Sequence, residues 1–352
     1  MRVEFLVVGQ GLCGTFLSWF LHRAGKSFLV MDQNDPASSS RVAAGIINPV
    51  TGRRLAITWM AEELLPFARK TYQELGQFLD AQLIFQKNLI EFFPNPHQRE
   101  LFLERVQEQN AYLHSFPEQN AFNSVFRYEL GCGEIRHSFV VDVETMQARW
   151  RKFLSQQNRL LDVRFDPERL HVRAGGIEYD DIAADRILFC DGSAGIRNPF
   201  FSSLPFSPNK GEALILEIPE LPPHHIYKKG FLLVPLPDEN KFWFGSNYQW
   251  KFTDPAPSTE FFEQARRHLL AWLKLPYRIL DHKAGIRPAT LERRPFVGVH
   301  PHHEAVVILN GMGTKGCSLA PFFASGLTRH LLDNEAIMPE ADVRRFSKAL
   351  SR

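Results

Sequence analysis

The chain has 352 residues, 44% of them hydrophobic, with 41 basic and 39 acidic side chains and a formal charge of +2. That length allows two domains or one elaborated domain. The dispersed basic pairs give little support to a general nucleic-acid face, and the absence of both an 18-residue apolar run and a basic leader pattern points to a cytoplasmic protein.

Residues 3–8 read as an apolar strand feeding Gly9-Gln10-Gly11-Leu12-Cys13-Gly14. In such a turn the first glycine allows the bend, the second lets backbone approach a pyrophosphate, and the third permits close helix packing. The helix that follows places Phe16, Leu17, Phe20 and Leu21 at three- and four-residue spacing and closes at Gly25, with its free N–H groups aimed at phosphate. A second strand over 27–31 ends at Asp32, 23 residues past Gly9, where an acid can accept hydrogen bonds from a ribose diol. Cys13 starts the helix, where a thiol is either activated by the helix terminus or simply packed, and packing is favoured. Four cysteines, Cys13, Cys132, Cys190 and Cys317, lack zinc-ligand spacing and disulfide density, and read as reduced thiols.

Residues 38–45 are small and polar, suited to close approach to a ligand. A helix is expected over 55–79, interrupted or kinked at Pro66. Residues 83–137 show no strong period apart from a helical piece over 97–111. Asp142 reads as the N-cap of a helix through 154 with Met146, Trp150, Phe153 and Leu154 on one face. Strands over 161–165, 169–174 and 177–179 suggest an antiparallel meander, and a strand over 186–190 enters a second tight turn, Asp191 to Gly195. From Gly211 the texture changes to β runs over 213–218, 230–234 and 241–244, covered by a helix over 258–273. His300, His302 and His303 read as a solvated turn with no metal register. A strand over 305–309, the glycine turn Asn310 to Gly316 and a helix to 332 return to the opening style, so the nucleotide domain is expected to be discontinuous.

The glycine motif, SSSRVAAGIINP (38–49), FCDGSAG (189–195), AGIRPATLERRPFVG (284–298) and GMGTKGCSLAP (311–321) occur in the order found in the FAD-dependent D-amino-acid oxidase superfamily. The chain resembles its glycine oxidase branch and the flavin domain of the bifunctional enzyme that modifies the tRNA wobble uridine. The resemblance implies a mixed α/β fold. A discontinuous Rossmann-like FAD domain would span 1–80, 136–204 and 284–352, and a mostly antiparallel substrate domain 81–135 and 205–283.

By the same resemblance, Gly9, Gly11, Leu12, Cys13 and Gly14 hold the pyrophosphate, and Asp32 and Gln33 the adenosine ribose. Ser39, Arg41, Ala43, Ala44 and Gly45 run past the flavin, and Gly192 forms the inner turn. Gly311, Gly313, Thr314, Lys315 and Gly316 face the pyrimidine side. Lys315 and its helix would stabilise the negative charge that a reduced flavin gathers at N1 and the C2 carbonyl; a solvent-facing lysine is the alternative. Arg287, restrained between Gly285 and Pro288, would grip a substrate carboxylate beside the flavin, against a structural salt bridge as the alternative. Tyr248 would line that pocket, with Tyr227 nearly as good a candidate.

The implied reaction is hydride transfer from a neutral amine to flavin N5, followed by imine hydrolysis and reoxidation by oxygen. Met312 and Thr314 stand where glycine oxidases commonly carry histidine and arginine, which puts glycine itself in doubt, and the stretch 48–54 is basic for a small neutral substrate. The expected partner is a small amine or amino acid. A tRNA substrate is disfavoured but open, and a flavin-binding subunit without turnover is a third possibility.

Overall fold

A strand whose side chains are buried on both faces needs neighbours on both edges and cover above and below, and Arg2–Val8 is such a strand. In the computed structural model, which describes residues 1–108, 111–238 and 240–351, it pairs in parallel with Phe28–Met31 on one side and Ile182–Phe189 on the other. Leu160–Leu161 extends the sheet beyond Phe28–Met31, and His303–Asn310 extends it beyond Ile182–Phe189, both in parallel. A strand from the last fifty residues therefore completes a sheet begun at residue 2, which makes this Rossmann-like unit discontinuous in sequence.

The helices Leu12–Arg23, Ala61–Leu79, Val143–Gln156 and Gly316–Asp333 share one hydrophobic core on this sheet, with Phe16, Tyr72, Trp150 and Phe323 among its large side chains. The buried Trp150 Nε1 donates to Ser18 Oγ at 2.9 Å, so the core carries its polar atom satisfied. Asp142 caps its helix as expected, accepting from the Thr145 N–H at 2.9 Å. Among the described residues no helix is long and apolar enough to cross a membrane.

The meander is built from Leu170–Arg173, Gly176–Tyr179 and Ile182–Phe189. The segment near 161 does not join it. Its carbonyls at Arg159 and Leu161 instead accept from the Val30 and Asp32 N–H groups, which an edge strand would otherwise leave unpaired. The helix expected from 55 begins only at Ala61, because Val50–Thr51 and Ala56–Ile57 pair as a short hairpin first. The helix expected over 97–111 spans Pro96–Gln107, and positions 109 and 110 lie outside the described residues.

A second eight-stranded sheet runs in the order Arg278–Arg287, Asn209–Glu217, Lys241–Gly245, Phe231–Pro235, Ile226–Lys229, Leu89–Phe92, Cys132–Ile135 and Leu113–Ser115. Every pair is antiparallel except Ile226–Lys229 with Leu89–Phe92. One face is covered by Thr259–Trp272, whose Phe261, Ala265, Leu269 and Trp272 pack on Leu214, Leu216 and Phe244. The other face turns Ala213, Ile215, Val234 and Trp243 toward Ala44, Val50 and Leu55. The stretch 38–45 is thereby held between the two sheets, with Trp243 Nε1 donating to the Val42 carbonyl at 2.9 Å.

Replacing the cap, Asp142→Ala, is expected to lower stability by about 1 kcal/mol. Urea denaturation would show a lower midpoint at unchanged slope, and an unchanged midpoint would mean the cap contributes nothing.

Candidate functional site

Parallel strands that end side by side leave their C-terminal loops converging on one crevice, the usual ligand position in an open α/β sheet. Here Val8, Met31 and Phe189 end in register, and Asn310 closes the neighbouring strand. The loops beginning at Gly9, Asp32, Cys190 and Gly311 therefore meet.

Gly9 has φ +97°, and a Cβ on it would lie 2.5 Å from the Cys190 carbonyl oxygen. A Cβ on Gly14 would collide with the Gly9 carbonyl, so the third glycine lets the first helical turn close onto its own loop. Among the described residues no hydrogen bond engages the N–H groups of Gly11, Cys13 or Gly14, while the Leu12 N–H donates to Ser40 Oγ at 3.1 Å. These are donors that can face an anion.

The Asp32 carboxylate accepts from the Gln10 N–H at 2.8 Å through Oδ2, and from the Asn34 N–H (2.8 Å) and Arg151 Nη1 (2.9 Å) through Oδ1. A carboxylate has about four acceptor sites, so capacity for a ribose hydroxyl remains. Arg151 also pairs with Asp162 at 2.7 Å and donates to Gln10 Oε1 at 3.1 Å. Sequence reading missed Arg151 and Ser40. The signal for the first was Gln147 and Arg151, polar at four-residue spacing on an otherwise core-facing helix. Gln33 is exposed beside Asp32, and Arg41 hydrogen-bonds Asn34.

Cys13 is packed: burial, then the charge of Asp191, pushes its thiol up to about 12, and burial does the same to Cys317. Asp191 itself is driven up to about 6 by burial, against hydrogen bonds from Asn198 Nδ2 and Asn310 Nδ2 at 2.9 Å each. Next to it, a Cβ on Gly192 would meet no atom within 4 Å. That leaves open room for a ligand to approach the backbone.

The last glycine turn packs on the Arg287 segment, the Gly313 N–H donating to the Pro288 carbonyl at 3.2 Å. Lys315 is the N-cap of Gly316–Asp333, and a Cβ on Gly316 would lie 2.9 Å from Leu12 Cδ1, so the two helix N-termini stand side by side. Lys315 is half-buried and has no acidic partner among the described residues. Burial and then Arg294 and Arg293 hold its ammonium below the ordinary lysine value. Thr314 is exposed, and Met312 is buried in the core of the nucleotide sheet.

Arg287 ends the edge strand opposite Asn209. Nη1 donates to Asn209 Oδ1 at 2.7 Å and the Asn247 carbonyl at 3.2 Å, Nη2 donates to Ser246 Oγ at 2.7 Å, and Cζ lies 4.7 Å from the Tyr248 ring centroid. All these partners are uncharged, and among the described residues Arg287 makes no ion pair. Among the described residues Nε–H and one Nη2 hydrogen find no acceptor, which leaves donors free for a carboxylate. The guanidinium lies over Gly211, where any Cβ would collide with it. Burial draws its pKa below the usual arginine value.

Tyr248 is 58% exposed and stacks on Arg287. Tyr227 is a core residue, packed on Phe122 and Phe126 with its hydroxyl on the Pro222 carbonyl. The histidine turn is a correction: His300 is buried against Phe200 and Phe201, and burial with His303 and His302 pushes it down to about 4. A β-strand ends there, so its side chain points inward. Among the described residues no cluster of three metal-ligating side chains occurs.

The family of FAD-dependent oxidoreductases named DAO matches residues 4–329. A glycine oxidase of Pseudomonas putida is 25% identical, with 97% of this chain and 98% of the relative covered. Among solved structures, glycine oxidase from Geobacillus kaustophilus has a TM-score of 0.79 at 16% identity, covering 98% of each chain. Iminodiacetate oxidase from Chelativorans sp. has a TM-score of 0.77 at 18% identity, covering 96% of this chain and 97% of that one.

Asp191 has a pH signature. Its folded pKa of about 6 lies above the ordinary 3.8, so its contribution to stability is full below pH 3.8 and lost as pH rises through 6. Asp191→Asn should remove that loss, on the order of 2–3 kcal/mol. Urea unfolding of the cofactor-free protein from pH 4 to 7 should show the variant gaining on the parent by that amount; a constant difference would contradict the assignment.

Proposed function

Because the chain belongs to the DAO family of FAD-dependent oxidoreductases, we propose that it oxidises the carbon–nitrogen bond of a small amine that carries a carboxylate. The observation that carries this reading is the Arg287 guanidinium, surrounded by neutral acceptors and lacking an acid of its own among the described residues. Glycine and iminodiacetate, named for two of the relatives, both place nitrogen on the carbon next to a carboxylate.

The residues fit FAD. Free N–H groups at Gly11, Cys13 and Gly14 would take the pyrophosphate, Asp32 the adenosine ribose, and the open backbone at Gly192 the inner side of the cofactor. Ser39, Ala43, Ala44 and Gly45 lie on the stretch between the two sheets, where the flavin would pass. Gly311 and Gly313 turn the chain so that Lys315 and the N-terminus of Gly316–Asp333 would face the pyrimidine ring. Bound there, FAD supplies the two-electron acceptor for the hydride leaving the substrate carbon.

The protein's own work is orientation and charge. Two charge-assisted hydrogen bonds from Arg287 to a carboxylate contribute roughly 1.5–3 kcal/mol each, and they fix the neighbouring carbon relative to the cofactor. Tyr248 keeps the guanidinium plane in place from the solvent side. Lys315, already short of counter-charge, would favour negative charge developing near it. No protein base is required when the amine arrives neutral. Met312, packed into the core, brings no polar group to the substrate, and we place the preferred substrate among N-substituted or larger amino acids.

Anaerobic mixing of the FAD-loaded protein with a panel of primary and N-methyl amino acids, imino acids and unfractionated tRNA tests this. Flavin bleaching by a carboxylate-bearing amine is expected, with tRNA inert. Arg287→Met should keep its flavin and lose on the order of a hundredfold in apparent affinity for that amine. Bleaching by decarboxylated amines alone, or unaltered affinity in Arg287→Met, would overturn the reading. Peroxide formation in air then distinguishes an oxidase from a dehydrogenase.

A further inference from the structure

Behind the Arg287 site lies a buried polar cluster for which that reading has no use. Along Asn209–Glu217, side chains alternate between faces. Asn209 and Gly211 meet Arg287, while Lys210 and Glu212, both buried, point the other way. There they meet the segment 246–258. The Glu212 carboxylate accepts from the Ser258 N–H (2.6 Å), Ser258 Oγ (2.8 Å) and His282 Nε2 (3.1 Å), and Lys210 Nζ lies 3.4 Å away. Lys210 Nζ also donates to the Ala256 carbonyl at 2.9 Å, and its backbone exchanges hydrogen bonds with Gln249.

Asn247 belongs to both sides. Its Oδ1 accepts from the Glu212 N–H at 2.8 Å and its Nδ2 donates to Glu212 Oε1 at 3.4 Å, while its carbonyl accepts from Arg287. Ser246 and Tyr248, on either side of it, supply two further contacts to the guanidinium. Three of the four Arg287 partners therefore ride on a segment whose inner anchor is Glu212.

We propose that Glu212 is a positioning residue for the Arg287 guanidinium, acting through Asn247. The inference rests on the carboxylate-binding reading given above. Burial raises the Glu212 carboxyl, but the Ser258 hydrogen bonds and Lys210 bring it below the ordinary glutamate value, so it is an anion at neutral pH. His282, lowered by burial, is neutral and donates Nε2–H. A buried ionic cluster is seldom the most stabilising filling for a site. Its use here is geometric: it makes the segment rigid where the guanidinium leans on it.

Acetate is the probe, titrated into the FAD-loaded full chain and followed by the flavin difference spectrum. Glu212→Gln should retain flavin and raise the acetate Kd on the order of tenfold. In an Asn247→Ala background the same change should cost nothing more. An acetate Kd within twofold of the parent, or losses that multiply in the double variant, would overturn the proposal. Should Glu212→Gln not fold, Asn247→Ala alone decides: it removes both hydrogen bonds between Asn247 and Glu212, and an unchanged Kd overturns the inference. Arg287→Met separates the two levels. If it still binds acetate, the carboxylate reading falls and takes this inference with it; if it loses acetate while the Glu212 and Asn247 variants do not, only the inference falls.

Discussion

A guanidinium taken out of water must be surrounded by acceptors or matched by an anion, and among the described residues Arg287 has the first without the second. Much of the second sheet can be understood as serving that condition. The edge register sets Asn209 opposite Arg287 and Gly211 opposite Gly285. Gly211 leaves the guanidinium room to lie on the sheet, and Gly285 lets Val42 pack 3.2 Å from where its own Cβ would be. The end of the edge strand is thus brought up against the stretch that leads back to the nucleotide loops.

That stretch couples the two ends of the site mechanically. Ser40 meets the first helix at Leu12, and Val42 meets the second sheet at Trp243 and Gly285. Beside Leu12 stands Gly316, so two helix N-termini and the half-buried Lys315 present positive potential on the same side of the nucleotide sheet. Glu292, the acid nearest in sequence to Arg293 and Arg294, is engaged by Arg345 and does not neutralise them. A ligand rich in phosphate and a substrate carrying a carboxylate both suit that field.

Local signals in the chain were read well where a chemical reason confined each residue. The glycine at a positive φ, the acid after the second strand and the capping Asp142 each answer a short-range requirement. Leu89–Phe92 and Cys132–Ile135 escaped notice because all their side chains are buried, which erases the alternation that marks a strand. Arg151, Ser40, Asp191 and Glu212 act through partners far away in sequence, Asn310 in the case of Asp191, and nothing in their immediate neighbours announces those contacts. His300 was misjudged because three histidines beside a proline resemble a loop, whereas the strand carries the first of them inward.

The guanidinium over Gly211 has neutral partners and, among the described residues, no anion of its own, the state proposed above to receive a carboxylate. Gly211→Ala adds one methyl group where Arg287 lies and touches neither the nucleotide loops nor the charge balance. Equilibrium titration of the FAD-loaded variant with acetate measures the consequence directly. Normal flavin content is expected, with acetate binding abolished or weakened on the order of a hundredfold. Acetate binding equal to that of the parent would contradict the carboxylate reading.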